Sequence, residues 1–320
     1  MVSMLEIFYH QHTAGEWLAL TCVNNTILSC NLKRSELDWN HTNEKKKGKT
    51  MKKNIHLLVI DPQNDFCDLP ATYLPVNPAT GTLHAPALPV SGAHADMLRV
   101  ADLIAKGGNG LNNISITLDS HHRLDIAHPT FWQRADGSPV TPFTEISAAQ
   151  VRDGLYLPRN PLALPRVLGY LDALEAAARY RLMVWPVHCE IGSWGQAVHA
   201  DLRLAYNAWE EAHLGIVNKI TKGSNPWTEH YSAIMAEVPD ADDPDTQLNQ
   251  GFINLLKQAD QVYITGEAGS HCVKATTEHI AAGFGEADIA KLVLLTDCMS
   301  PVAGFEAQFD AFVRDMAARG

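Results

Sequence analysis

Short apolar runs alternate with helical periods along most of this chain. Residues 55–60 (IHLLVI), 114–118 (ISITL), 181–185 (RLMVW), 262–264 (VYI) and 292–296 (LVLLT) are apolar or β-rich segments of the kind buried in parallel sheets. The pair Ile216 and Val217 opens another, which leads through Lys219 to Lys222 and Gly223. Between these runs, Met97, Leu98, Val100, Ala101, Leu103 and Ile104 recur at helical spacing within 93–105. Val167, Leu168, Leu171, Leu174 and Ala178 do the same within 167–180. Both helices are expected to cover the sheet. Segment 194–209 reads as helix or loop–helix, 273–282 as helix, and a last helix starts near Gly304. Strand and helix alternate without an internal repeat. The pattern predicts an α/β fold with a doubly wound, mainly parallel six-stranded sheet and helices on both faces.

Other stretches break the pattern. Residues 69–92 are rich in Pro, Gly and Thr and read as a long loop. Residues 132–165 show no clear period and read as a lid or edge loop. Residues 237–249 are acidic and read as an exposed loop. Residues 1–50 mix isolated apolar residues with Asn and Thr and end in a basic run at 45–49. They read as a poorly ordered extension, or as sequence upstream of a start at Met51. A basic targeting or anionic-surface segment is the other reading. The expected organisation is therefore a non-core segment over 1–50 and one domain over 51–320.

Composition narrows the class. A chain of 320 residues that is 46% hydrophobic can bury a large core. Its formal net charge of −11 argues against a general nucleic-acid surface. No apolar run approaches the roughly 20 residues a membrane span needs, and residues 1–21 lack the pattern of a signal peptide. The six cysteines are scattered and form no CxxC pair, as in a cytoplasmic protein with reduced thiols. No partner protein is indicated, and a homo-oligomer is among the states the sequence allows.

The candidate chemistry lies just past the strands. In open parallel sheets ligands bind beyond the carboxyl ends of strands. The run 55–60 ends in Asp61, which is a site candidate there and a turn or cap residue otherwise; Asn64 and Asp65 are expected to be turn residues. The run 114–118 ends in Asp119-Ser120-His121-His122, with His128 close by. Asp119 and His121, two residues apart on an extended segment, share a face and can converge on one ion; a polar loop with exposed imidazoles is the alternative. Residues 181–185 run into Pro186, Val187, His188 and Cys189. Lys222 is a solvated surface charge or a cation that tunes Asp61 and a thiol. After 262–264 come Gly266, Gly269 and Cys272, a strand–turn–helix pattern with the cysteine at the helix start. Helix N–H groups there favour a thiolate and can hold an oxyanion; an inert buried cysteine is the other reading.

Five motifs occur in order: DPQNDF at 61–66, DSH at 119–121, WPVHC at 185–189, KG at 222–223 and GEAGSHCV at 266–273. Together they resemble the isochorismatase-like cysteine hydrolases, and within them the nicotinamidase/pyrazinamidase branch, from about Lys53 to the C-terminus. The resemblance implies a catalytic triad of Asp61, Lys222 and Cys272, and an oxyanion hole from the backbone N–H groups of Ala268 and Cys272. It implies one divalent metal, zinc first and manganese or iron otherwise, on Asp119, His121 and His188. Some members add a histidine after the second of these. His128 is the best match, one residue off the expected spacing, with His122 as its competitor. Phe66 and Trp185 match the aromatic pair that sandwiches a pyridine ring. The family's cis peptide would fall at Glu267–Ala268. Insertions at 69–90 and 132–166, a longer 190–219 and residues 1–50 depart from compact members.

The implied activity is hydrolysis of nicotinamide to nicotinate and ammonia through a thioester, a step of pyridine-nucleotide salvage. The same triad acting on another small amide, ureido or carbamoyl compound is the second reading. A hydrolase using metal-bound water, with Cys272 structural, is the third. A non-enzymatic metal- or ligand-binding module would have little use for Asp, Lys and Cys at three strand ends.

Overall fold

A computed structural model of the protein describes residues 7–12, 16–23, 26–32 and 53–320. The chain divides into two units, Met1–Lys52 and Lys53–Gly320. In the first, β1 (Ile7–His12), β2 (Glu16–Val23) and β3 (Thr26–Leu32) pair as an antiparallel sheet in that order. The expectation of a poorly ordered or non-core segment over 1–50 falls in large part outside the described residues, as does the basic run at 45–49.

The second unit contains nine strands: β4 (Ile55–Ile60), β5 (Asn113–Asp119), β6 (Trp132–Arg134), β7 (Thr144–Ile146), β8 (Tyr156–Pro158), β9 (Leu182–Val184), β10 (Asn218–Lys222), β11 (Gln261–Gly266) and β12 (Leu292–Leu294). Its helices are α1 (Ala93–Gly107), α2 (Ala148–Arg152), α3 (Leu164–Ala177), α4 (Ala200–His213), α5 (Gln250–Lys257), α6 (Cys272–Phe284) and α7 (Glu306–Arg319). Five strands form a parallel sheet in the order β10-β5-β4-β11-β12. β4 lies at its centre, and Leu57, Leu58, Val59 and Ile60 are fully buried. Each such side chain contributes about 1.5–3 kcal/mol on burial, which is why an unbroken apolar run belongs there. α1 packs on α4 and α5 on α6, while α1 and α6 both pack on β11, so the sheet is flanked by helices. No helix among the described residues is long and apolar enough to cross a membrane.

The parallel α/β architecture is the expected one, with five strands in the main sheet in place of six. Segment 182–184 is the strand that leaves it. β9 pairs antiparallel with β7, inside the insertion. Leu182 and Val184 point into a second hydrophobic core, and Met183, between them, packs against the main one. Alternation along three residues thus makes β9 a seam between two cores. The same core corrects two further expectations. α3 buries Val167, Tyr170, Leu171 and Leu174 there, against the insertion. Residues 132–165 are no unstructured lid: they form β6 paired with β8, plus β7 and α2, around Trp132, Val140, Ile146 and Val151. Residues 69–92 do form a long loop, with one short turn at Ala71–Tyr73. Asp65 tethers it: its backbone carbonyl accepts from Leu88 N–H at 3.0 Å and its carboxylate from Ala87 N–H at 3.0 Å.

Candidate active site

Parallel register brings four strand ends to one edge of the sheet. Lys222 and Asp119 are partners at the ends of β10 and β5, and Gly266 faces Ile60 at the ends of β11 and β4. Asp61 follows Ile60 with a left-handed φ of 44° and no exposed surface. Its N–H donates to Thr117 Oγ1 at 3.0 Å, and the Thr117 hydroxyl donates to Asp61 Oδ1 at 2.5 Å. Gly266 has φ 119°, and a Cβ there would meet the Ile60 carbonyl oxygen at 2.0 Å. Glycine therefore lets β11 turn hard against β4 and deliver Cys272 to the start of α6. The Glu267–Ala268 peptide is cis. The turn closes with His271 N–H and Val273 N–H donating to Ala268 O at 3.0 and 3.2 Å. Cys272 is the first residue of α6, where backbone N–H groups have no intrahelical acceptor.

Lys222 stands between the acids and the thiol. Its Nζ is 2.8 Å from Asp61 Oδ2, 3.0 Å from Asp119 Oδ1, 3.0 Å from His230 O and 3.6 Å from Cys272 Sγ. Burial opposes its charge, but Asp119 and Asp61 outweigh it and hold the ammonium well above the usual lysine range. Burial raises Asp61, with Lys222 pulling the other way. Burial pushes the Cys272 thiol well up, again against Lys222. Burial thus opposes the thiolate that the helix start would favour, and a base beside the thiol assists its attack.

Beside this trio lies a histidine cluster. His121, His128 and His188 are buried, with one nitrogen of each within 4.8 Å of the others. Asp119 Oδ2 is 3.0 Å from His121 Nε2 and 3.4 Å from His188 Nε2. His128 Nε2 is 3.3 Å from His188 Nδ1. The outer nitrogens are held: His121 Nδ1 by Asp125 Oδ2 at 3.1 Å, His188 Nδ1 by Pro186 O at 2.8 Å. That orientation aims both Nε2 atoms at Asp119, the arrangement found around metal-ligating imidazoles. His121 Nε2 is buried and makes no aligned hydrogen bond, although Asp119 Oδ2 is 3.0 Å away. A buried nitrogen facing a carboxylate and two further imidazoles fits a divalent ion. His122 is exposed and outside the cluster.

Phe66, Trp185, Ala268 and Cys272 line one small cavity of about 30 Å³, together with Asp119 and His188. All the residues singled out in the sequence thus lie at one site, with His122 the exception. Leu88, Glu229, Tyr231, His271 and Val302 also line it and were not singled out. His271 stood inside the cysteine motif. Glu229 and Tyr231 follow β10 in a segment with no period to mark it. Burial pushes the Glu229 carboxyl up to about 8, with His121 opposing. Asn64 and Asp65 do more than turn the chain: Asp65 Oδ2 accepts from Cys189 N–H at 2.7 Å, and the Asn64 amide donates to Trp194 O at 2.8 Å.

No protein-family model matches the chain, and no curated protein matches it in sequence. Solved structures do match. The yeast nicotinamidase Pnc1p bound to the inhibitor nicotinaldehyde is 18% identical, with 83% of this chain and 96% of that one covered and a TM-score of 0.51. An Acinetobacter baumanii nicotinamidase/pyrazinamidase is 19% identical over 84% of this chain and 95% of that one, with a TM-score of 0.51. At such identities the likeness shows the fold: this chain has the fold of the nicotinamidases, as its motifs imply.

Proposed function

We propose that the protein is a cysteine amidohydrolase that converts nicotinamide and water to nicotinate and ammonia. The observation that carries this reading is the placement of Asp61, Lys222 and Cys272 together, at the edge of a small cavity lined by Phe66 and Trp185. Amides resist attack, so hydrolysis needs an activated nucleophile and a stabilised oxyanion. Cys272 Sγ attacks the carboxamide carbon as Asp61 takes the thiol proton. Asp61 suits that task because burial has raised its affinity for a proton. Lys222 holds Asp61 in place and favours negative charge on sulfur. The N–H groups of Ala268 and Cys272 receive the oxyanion. Asp61 then returns the proton to departing ammonia, and water cleaves the thioester.

Asp119, His121, His188 and His128 would hold one divalent ion, with zinc the best fit to imidazole and carboxylate ligands and manganese or iron the alternatives. Such an ion supplies Lewis acidity toward a ring nitrogen or its water. Phe66 and Trp185 would hold the ring between them. The small cavity favours a small amide. The second reading keeps this machinery and changes the amide, because the insertion with its own core reaches the wall of the pocket at Trp185.

The test is ammonia release from nicotinamide by purified protein, with and without prior iodoacetamide. Release abolished by alkylation supports both substrate and thiol. Release only from other small amides moves the reading to the second one. Release that survives complete alkylation of Cys272 overturns the thioester route.

A further inference from the structure

We propose that Phe143, in the insertion, is a positioning residue that sets how tightly the pocket holds a flat aromatic amide; the proposal rests on the amidase reading above. Phe143 is 56% exposed, and its φ of 62° lies in the left-handed region that aromatic residues rarely adopt. Two contacts keep it there. Its N–H donates to Val184 O at 2.6 Å, on the residue before Trp185. Its ring meets the Trp185 indole edge-on, at 5.9 Å between centroids and 85° between planes.

Trp185 is buried and lines the cavity with Cys272. Its Nε1–H donates to Tyr231 Oη at 3.1 Å, and His271 packs against it at 5.2 Å and 89°. Tyr231 and His271 thus fix the indole from within the pocket, and Phe143 braces it from the insertion. The brace is built on a rigid base. β7 begins one residue after Phe143, and Val140 and Ile146 on either side are buried in the second core. Without the ring, the indole gains freedom to tilt, and a substrate stacked on it loses that surface. A small aliphatic amide has no ring to stack and does not read the change.

Phe143→Gly is the informative variant. Glycine adopts the same φ without strain, so the ring is removed and the backbone kept. An edge-to-face aromatic contact corresponds to a change of roughly 2- to 10-fold in binding. The expected result is a KM for nicotinamide raised within that range, kcat little changed, KM for propionamide unchanged, and Phe143→Tyr restoring the wild-type values. Equal changes for both amides would mark Phe143 as merely structural, and no change for either would remove the role; both overturn the proposal. If the wild type hydrolyses no amide, the amidase reading fails by itself, and calorimetric titration with nicotinamide decides this one. Binding weakened in Phe143→Gly and restored in Phe143→Tyr supports it; binding that is absent in the wild type or equal in all three proteins overturns it.

Discussion

Lys222 Nζ lies 2.8 Å from an Asp61 carboxylate oxygen, although the two residues end strands that are separated by β5. Asp119, at the end of β5, fills the gap and shares the ammonium at 3.0 Å. One cation thus pairs with two buried carboxylates and touches the Cys272 sulfur at 3.6 Å. Removing it leaves Asp61 buried without its cationic partner. Lys222→Met is expected to destabilise the fold by about 3–5 kcal/mol, the cost of breaking a buried pair, and to abolish amide turnover. Denaturant unfolding at pH 7 measures the first, and ammonia release the second.

Cys272→Ser tests the nucleophile without disturbing that charge balance. A hydroxyl is nearly the size of the thiol but far less acidic, so Asp61 cannot activate it comparably. Turnover is expected to fall more than about 10³-fold, with the unfolding midpoint and bound metal unchanged. Activity near the wild-type level would leave Cys272 as a packing residue.

Metal affinity should follow the cluster's geometry. His188→Ala and Asp119→Ala are each expected to lose the ion on dialysis. The exposed His122→Ala should keep it. Asp125→Ala should weaken it about 10- to 100-fold, because Asp125 orients His121 at 3.1 Å without facing the ion. Elemental analysis of the dialysed variants gives the order. Retention in His188→Ala would place the ion elsewhere.

Buried His56 links stability to pH. Its ring bonds Ser115 Oγ at 2.8 Å, and burial lowers its pKa from 6.5 to about 4. The folded state therefore holds the ring neutral where the unfolded chain binds a proton. Its contribution is fully present above pH 6.5, falls by about 1.4 kcal/mol per pH unit below that, and is lost as pH approaches 4. Glutamine does not titrate. The stability advantage of the wild type over His56→Gln should shrink steadily from pH 7 to pH 4 in urea unfolding. A constant difference would show that His56 titrates normally in the fold.

Gly266→Ala should be among the least tolerated small substitutions. The added Cβ would lie 2.0 Å from the Ile60 carbonyl oxygen, at a φ of 119°. Separating β11 from β4 would open the centre of the sheet. A loss of more than about 3 kcal/mol, or insoluble protein, is expected. Soluble expression with an unchanged melting temperature would contradict that packing.

The central strands were legible because both their faces are buried. A strand such as β4, apolar at every position but His56, or the apolar part of β5, then reads as a hydrophobic run, and that is a local property of the residues. Asp61 and Asp119 were legible for a related reason: a polar residue directly after such a run marks the carboxyl end where parallel sheets expose a crevice, while Cys272 was legible from the strand, glycine turn and helix around it. β9 was misplaced because three apolar residues do not reveal which neighbour they pair with. The insertion's core was hidden for the same reason. Trp132 and Val140 meet α3 only through contacts distant in sequence.

The residue sequence by itself determined the parallel α/β class and the strand ends that carry Asp61, Asp119 and Lys222. Those follow from hydrophobic period and residue type, which each segment carries alone. Only the tertiary structure decided that Lys222 is shared by Asp61 and Asp119 and that His128, not His122, joins His121 and His188. It also decided that burial raises the Cys272 thiol and that Phe143 leans on Trp185. Each of these depends on burial and on distances between segments far apart in the chain, and desolvation and Coulomb energies are set by that environment and not by the residue alone.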